Sequence, residues 1–410
     1  MTIPDGFIEV RFTQIASLSS GVEPVFSQYG YPVYGANGII GYCETYSHND
    51  VIVIGRVGSA GEITMVRERC HVSDNALIAE EIPQVISKDY LLNLLIHMDL
   101  KTEIIQSNQP ILTQGRLNRK LLIIPHDITE QESINEVIRS ANQVLNLQRQ
   151  LIMKLEMMRE GVLNDFLTYG IDEDGALRSP ETHDFELFGL NQIPSSWEMR
   201  TLESLGIDVI DGDRGKNYPK KSEMEPNGYC LFLSAKNVTK TGFKFDEKMF
   251  ITQTKHETLR NGALTRGDIV ITTRGTVGQF SLFSDDIHFE HIRINSGMAI
   301  IRNNSAEISN EYLFMALNSD LIKKQIGLVS YGTAQQQLNI PQISNLMIPF
   351  CSSEEQTRLL HSYNSLHNRL DLENRILDKY RKIKLGLMND LLTGRVRVPT
   401  PAPDGVEVAG

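Results

Sequence analysis

Gly161-Val-Leu-Asn-Asp-Phe-Leu-Thr168 and Gly386-Leu-Met-Asn-Asp-Leu-Leu-Thr393 are one phrase written twice, and that repetition decides how the chain is read. Working outward, four further pairs appear in the same order. Ile3-Pro-Asp-Gly-Phe7 answers Ile193-Pro-Ser-Ser-Trp197. Asp50-Val-Ile-Val-Ile-Gly-Arg-Val-Gly-Ser-Ala-Gly61 answers Asp268-Ile-Val-Ile-Thr-Thr-Arg-Gly-Thr-Val-Gly278, setting Arg56 against Arg274. Ser87-Lys-Asp-Tyr-Leu91 answers Ser309-Asn-Glu-Tyr-Leu313; Leu122-Ile-Ile-Pro125 with Gln131 answers Leu346-Met-Ile-Pro349 with Gln356. The offset grows along the chain, so the second copy carries insertions. Ordered matches with one local grammar indicate two copies of one module.

A long helical pattern leads into each closing phrase. Ile134, Val137, Ala141, Val144, Gln148, Leu151, Leu155, Met158 and Val162 are spaced 3-4-3-4-3-4-3-4, a heptad seam with one polar position. In the second copy Leu359, Tyr363, Leu366, Leu370, Glu373, Leu377 and Tyr380 form the matching seam, drifting onto Ile383 and Leu387. Glu373 stands at the repeat-equivalent of Gln148, so the two polar residues read as register markers with each other as available partners. Roughly 38 residues of helix reach about 57 Å, more than one domain core buries. Each seam therefore needs a partner, and the other copy's helix is the nearest.

Before each helix the pattern is that of short strands. Residues 50–54, 76–79 and 121–124 qualify in the first copy; 229–233, 268–272, 297–301 and 346–350 qualify in the second. Gly, Asn and Pro turns separate them, and helices are expected at 88–100 and 310–326. The expected fold class is α+β: mostly β modules, each followed by a long coiled-coil helix. Boundaries fall at 1–126 and 186–350 for the modules and 127–169 and 351–394 for the helices. Residues 170–185 read as an exposed connector, and 395–410 as a flexible tail.

The chain has 410 residues with 40 Lys+Arg against 51 Asp+Glu, a formal net charge of -11. Hydrophobic residues at 41% and charged residues at 22% exclude a disordered or collagen-like chain. No apolar run approaches 18 residues, and Met1–Pro4 leads straight into mixed sequence, so neither a membrane span nor a secretory leader is expected. Cys43, Cys70, Cys230 and Cys351 lie too far apart for a zinc cluster or disulfide framework, which suits a reduced cytoplasmic protein with no metal. The acidic balance argues against a general polyanion coat and leaves room for a local DNA footprint.

Catalytic signatures are missing from the sequence. There is no Gly-x-x-x-x-Gly-Lys-Ser/Thr loop, no Asp-Pro-Pro-Tyr or Asn-Pro-Pro-Tyr/Phe segment of a base methylase, and no Gly-x-Ser-x-Gly elbow. The ten histidines form no ligand-spaced set. The repeated loops offer recognition chemistry instead. Arg56 and Arg274 each stand among glycines directly after a strand, where backbone N–H groups approach an anion closely and arginine grips phosphate or a guanine edge. An ordinary β-turn with its arginine paired to a carboxylate is the plainer alternative. Asn37 in the Tyr31–Gly38 loop, and Arg214 and Lys216 in the Asp211–Tyr218 loop, are further candidate DNA contacts. So are Arg293 and the Gln335-Gln336-Gln337 run, since Gln and Asn pair bidentately with adenine.

Tyr31-Pro-Val-Tyr-Gly-Ala-Asn-Gly-Ile-Ile-Gly41, Ile54–Gly61, Ile271–Gly278, Gly332–Leu338, Ile193–Trp197 and the two helix ends together resemble the specificity subunit of a Type I restriction-modification enzyme. Each phrase is moderately specific, but their order and duplication span nearly the whole chain. The resemblance implies two target recognition domains, at 1–126 and 186–350, separated by a pair of long antiparallel coiled-coil helices in an internal pseudo-two-fold repeat. Each domain would read one half of a split, asymmetric double-stranded DNA site. The chain itself would be non-catalytic. Its partners would be two methyltransferase subunits using S-adenosylmethionine, and restriction subunits using ATP and Mg2+. An unrecognised methyltransferase or nuclease, or a protein-binding scaffold, are the competing classes. Selection of a DNA consensus and assay of the isolated chain separate them.

Overall fold

Both long helices form, Ile128–Tyr169 with 42 residues and Ser353–Leu392 with 40. Their ends follow from local chemistry. The Asp127 carboxylate accepts from the Thr129 N–H at 2.9 Å and the Ser352 hydroxyl from the Glu355 N–H at 3.3 Å, satisfying first-turn donors. Gly170 and Gly394, just past the two ends, take the left-handed conformation (φ 66° and 70°) that glycine adopts freely.

The computed structural model describes residues 3–105, 110–188, 191–239, 242–330 and 337–398. It divides the chain into two units, Met1–Leu151 with Glu373–Gly410, and Ile152–Leu372. Each long helix is shared between them.

The first unit is built on a six-stranded sheet, in the order Ala16–Ser20, Ala76–Glu81, His48–Gly55, Ile63–Val72, Tyr31–Gly35, Gly38–Cys43. Its central run, Val51-Ile-Val-Ile54, is buried on both faces, as side chains alternate across the pleat. Ile52 and Ile54 join the core around helix Lys88–His97, with Tyr90, Leu91, Leu94 and Leu95. Val51 and Val53 join a second cluster with Val66, Cys70, Val72 and Ile78. Strand Phe7–Arg11 pairs antiparallel with Leu121–Pro125, and Leu121–Pro125 leads the chain into the first long helix.

The second unit has a four-stranded sheet in the order Ile207–Asp211, Met298–Asn303, Ile269–Thr272, Phe280–Leu282. A three-stranded sheet, in the order Phe250–Ile251, Cys230–Phe232, Ile292–Arg293, takes its strands from between those of the first along the chain. Ile269 and Ile271 face one core with Tyr312 and Leu313, while Val270 faces another with Phe283 and Ile300. The helix expected at 310–326 is two helices, Asn310–Leu317 and Asp320–Ser330. They break where Ser319 is buried and its hydroxyl accepts from the Ile322 N–H.

The same hydrogen bonds recur in the two units. Gln131 donates to the Pro125 and Val85 carbonyls and accepts from the Ser87 N–H. Gln356 donates to the Cys351 and Glu307 carbonyls and accepts from the Ser309 N–H. Glu130 holds Arg397 at 2.7 Å, and Glu355 holds Arg178 at 3.0 Å together with the Trp197 indole N–H. These contacts bear on two expectations. The supposed flexible tail is fastened to the first unit through Arg397, with Val398 against its core; residues 399–410 lie outside the described set. The connector is exposed over most of its length, residues 173–177 included, as expected, and is anchored in the second unit by buried Ile171 and by Arg178.

The seam also differs from the heptad reading. Ile134 and Ile138, not Val137, are the fully buried pair at the start of the first helix, and Val137 is only half-buried. Leu145 is 4% exposed against 43% for Val144, and Ile152 is 7% exposed against 38% for Leu151. Met158 is 55% exposed, and half-buried Arg159 stands on the inner row. Gln148 and Leu155 keep their expected places, buried and half-buried. On the second helix Leu370, Glu373 and Leu377 are buried and Leu366 and Tyr380 half-buried, but Ile383 is exposed and the seam continues through Met388 and Leu391. The Gln148 amide donates to the Glu373 carboxylate at 2.5 Å and to its carbonyl at 3.1 Å.

Candidate nucleic-acid interface

The turn after strand His48–Gly55 and the turn after Ile269–Thr272 are the same object. Gly58 and Gly61 take φ of 81° and 82°; Gly275 and Gly278 take 75° and 79°. The Gly61 N–H donates back to Gly55, and the Gly278 N–H donates back to Thr272. The N–H groups of Arg56 and Val57 both donate to the Asn75 carbonyl at 2.9 and 3.3 Å. Those of Thr273 and Arg274 both donate to Gly297 at 2.8 and 3.3 Å. A third segment closes each turn: Leu112 donates to Arg56 and Leu338 to Thr273.

This pattern corrects the sequence pairing by one residue. Arg56 corresponds to Thr273, and Arg274 to Val57. Both arginines directly follow a strand among glycines, as expected, but on neighbouring positions of equivalent turns. Arg274 is exposed and Arg56 half-buried. Neither guanidinium has a hydrogen-bond or ion-pair partner among the described residues, which removes the plainer reading of a carboxylate-tied turn.

Other candidates gather around these turns to different degrees. In the first unit Asn37 is exposed in the tight turn between Tyr31–Gly35 and Gly38–Cys43. Its neighbour Ala36 approaches Gly55 so closely that a Cβ there would lie 2.7 Å from the Ala36 carbonyl. The Asn37 turn and the Arg56 turn are therefore adjacent. In the second unit three segments converge on Asn295–Gly297. Gly297 accepts from the Arg274 turn, the Tyr218 hydroxyl accepts from the Ser296 N–H, and a Cβ on Gly212 would lie 2.5 Å from the Asn295 carbonyl. Gln337, exposed, pairs with Arg274 in an isolated antiparallel bridge. Gln335 and Gln336 lie outside the described residues.

The Asp211–Tyr218 loop brings Lys216, exposed, and Arg214, whose charge is met by Asp211 at 3.0 Å. Asp213 organises this loop, accepting from the N–H groups of Gly215 and Arg260. Those bonds hold its carboxyl below the usual range. They also place Arg260, exposed, beside the loop; the sequence carries no motif that marks it.

Arg293, expected among the DNA contacts, is interior. It is 4% exposed, and its guanidinium donates to His256 Nδ1 and to the carbonyls of Asn261, His256 and Leu259. An arginine whose donors are spent on buried acceptors holds the fold together. The four thiols are buried; burial pushes Cys70 up to about 11 and Cys230 and Cys351 up to about 12, away from thiolate reactivity. Among the described residues no three His, Cys, Asp or Glu side chains form a metal-binding group, and no helix is long and apolar enough to cross a membrane.

Comparison with known proteins gives one consistent answer. The family model for the Type I restriction modification DNA specificity domain matches residues 10–157 and 194–380. The chain is 24% identical over 361 residues to the Type I restriction enzyme MjaVIII specificity subunit of Methanocaldococcus jannaschii, covering 86% of this chain and 80% of that protein. It is 23% identical over 333 residues to the putative type I restriction enzyme MjaX specificity subunit of the same organism, covering 80% and 72%. In fold it is similar to the Type I restriction-modification S subunit from M. genitalium (TM-score 0.52, 14% identity, 95% of this chain and 98% of that one). A chain from a structure of type I R-M complex assembly and conformational transition is similar too (TM-score 0.61, 13% identity, 97% and 100%).

Proposed function

The chain belongs to the Type I restriction-modification DNA specificity family, and from that premise we propose that its two recognition domains read two different half-sites of one bipartite DNA target. As a specificity subunit it selects the DNA sequence. The reading rests on one observation above the others: the same glycine-bounded turn occurs once in each unit, dressed with different side chains. Unlike side chains on like scaffolds suit an asymmetric site. In the second unit Arg274 and Gln337 would enter the major groove, where arginine pairs with guanine O6/N7 and glutamine with adenine N6/N7. Lys216 and Arg260 would hold phosphates on either side and fix the register.

We further infer that the two long helices pair antiparallel as a coiled coil between recognition domains at 1–126 and 186–350, within a pseudo-two-fold repeat. Support comes from each unit separately. In the first, Ile134 and Ile138 share a cluster with Met388 and Leu391, and Gln148 meets Glu373. In the second, Leu163 and Phe166 share a cluster with Leu359. The chemistry would belong to partners in the cytoplasm: two methyltransferase subunits carrying S-adenosylmethionine, and restriction subunits carrying ATP and Mg2+. This chain would contribute sequence reading and no catalytic group.

Selection from random duplex DNA by the full chain, alone and with a copurifying methyltransferase, tests the reading. Two short motifs at fixed spacing are expected. A pool without consensus, or methyl transfer by the chain alone, overturns it.

A further inference from the structure

The hydrogen bonds that equate Val57 with Arg274 also equate what lies opposite them. Val57 forms an isolated antiparallel bridge with Ile111, and Arg274 forms one with Gln337. Residues directly opposite on such a bridge hold their Cβ atoms about 4.5–5.5 Å apart, so each bridge presents two side chains together. In the second unit both are polar and exposed; in the first both are apolar and half-buried. The apex beside each bridge is open: a Cβ on Gly58 or Gly275 would meet nothing within 4 Å. Two buried hydroxyls lack a partner among the described residues, Ser73, two positions before Asn75 in the chain, and Thr273, next to Arg274.

Arg274 also differs in its pairing from several other arginines of the second unit. Arg214 is met by Asp211, Arg302 by Asp268 and Arg200 by Glu307, whereas Arg274 has no carboxylate partner among the described residues. Among the described residues nothing accepts from its guanidinium, so reading a base breaks no ion pair among them.

We propose that this bridge is the base-reading pair of each unit, working by hydrogen bonds in the second and by apolar contact in the first. Arg274 takes the O6/N7 edge of a guanine and Gln337 the N6/N7 edge of an adjacent adenine. Val57 and Ile111 take the C5-methyl of a thymine at the corresponding place in the other half-site. The inference rests on the DNA-reading function above and adds which residues carry the difference between the halves.

The experiment is selection from random duplex DNA with the full chain and with Arg274→Val combined with Gln337→Ile. The wild type is expected to show guanine and adenine preferences in one half-site. The double variant should lose them by about 10-fold or more, leaving the other half-site as an internal control for folding. Val57→Arg should change the base chosen in that other half-site alone. If the double variant loses both half-sites, Arg274→Lys decides, since lysine keeps the charge without the bidentate fork: an unaltered guanine preference overturns the proposal. A wild-type consensus with both half-sites unchanged in the double variant sinks this inference and spares the function. No wild-type consensus sinks both.

Discussion

Arg293 and Arg274 show how far residue type alone underdetermines role. Both are arginines near a strand end in the second unit, yet one is consumed by His256 and three carbonyls and the other stands open. Replacing Arg293 by Ala should cost about 3 kcal/mol or more, because buried acceptors lose a charged donor. The checking measurement is denaturant unfolding, with DNA base preference unchanged in the folded fraction. His256 follows from the same contact. Burial, then the charges of Arg293 and His291, lower its pKa, so the unfolded chain takes up the proton first, near the ordinary value of about 6.5. The stability this neutral histidine contributes is full above that pH. It falls as pH drops toward the folded pKa and levels off below it. Unfolding midpoints from about pH 7.5 to 5 should show the slope, and His256→Gln, which keeps an acceptor for Arg293, should flatten it. Tyr312 and Tyr90 make a matched pair. The Tyr312 hydroxyl donates to Pro349 at 3.0 Å, whereas the buried Tyr90 hydroxyl has no partner among the described residues. Tyr312→Phe should cost about 1 kcal/mol and Tyr90→Phe nothing or less, read as a shift in unfolding midpoint.

At the scale of the element the informative case is the seam. Three residues turn a helix by about 300° and four by about 400°, so positions 137 and 138 flank the line through Ile134 on opposite sides. Val137-Ile138, Val144-Leu145 and Leu151-Ile152 are all apolar pairs, so the heptad period was legible and its phase was not. Ile152→Asp or Leu370→Asp should therefore cost about 3 kcal/mol or more, and Leu151→Asp under about 1 kcal/mol. Thermal unfolding of the three variants checks the ranking, and equal losses for Leu151 and Ile152 would refute the buried row. Gln148 and Glu373 are both buried and hydrogen-bonded to each other. Glu373→Leu alone strands the Gln148 amide and should lower stability, whereas Gln148→Leu with Glu373→Leu should restore it. A double variant no better than the single one would mean the pair does not act as a unit.

At the scale of the whole molecule a formal charge of -11 means that DNA grip must be local. Each lost phosphate contact lowers the slope of log affinity against log salt by about 0.9. Lys216→Ala with Arg260→Ala should thus flatten salt dependence without altering base preference, measured by titration at several salt concentrations. Two modules, two long helices, the central strands and Gln131 with Gln356 were readable along the chain, because period, turn residues and ordered repetition are properties of neighbours in sequence. The mixed helix and strand content and the two glycine-bounded turns could be named on that basis alone. Folding in three dimensions decided the rest: which flank of the first helix's heptad row is buried, that Arg397 ties the tail to Glu130, that Arg56 matches Thr273 and not Arg274, and that Arg293 is interior. The physical reason is common to all four. A local pattern carries the spacing of side chains, but burial and pairing are set by segments tens to hundreds of residues away that meet them only in the folded state.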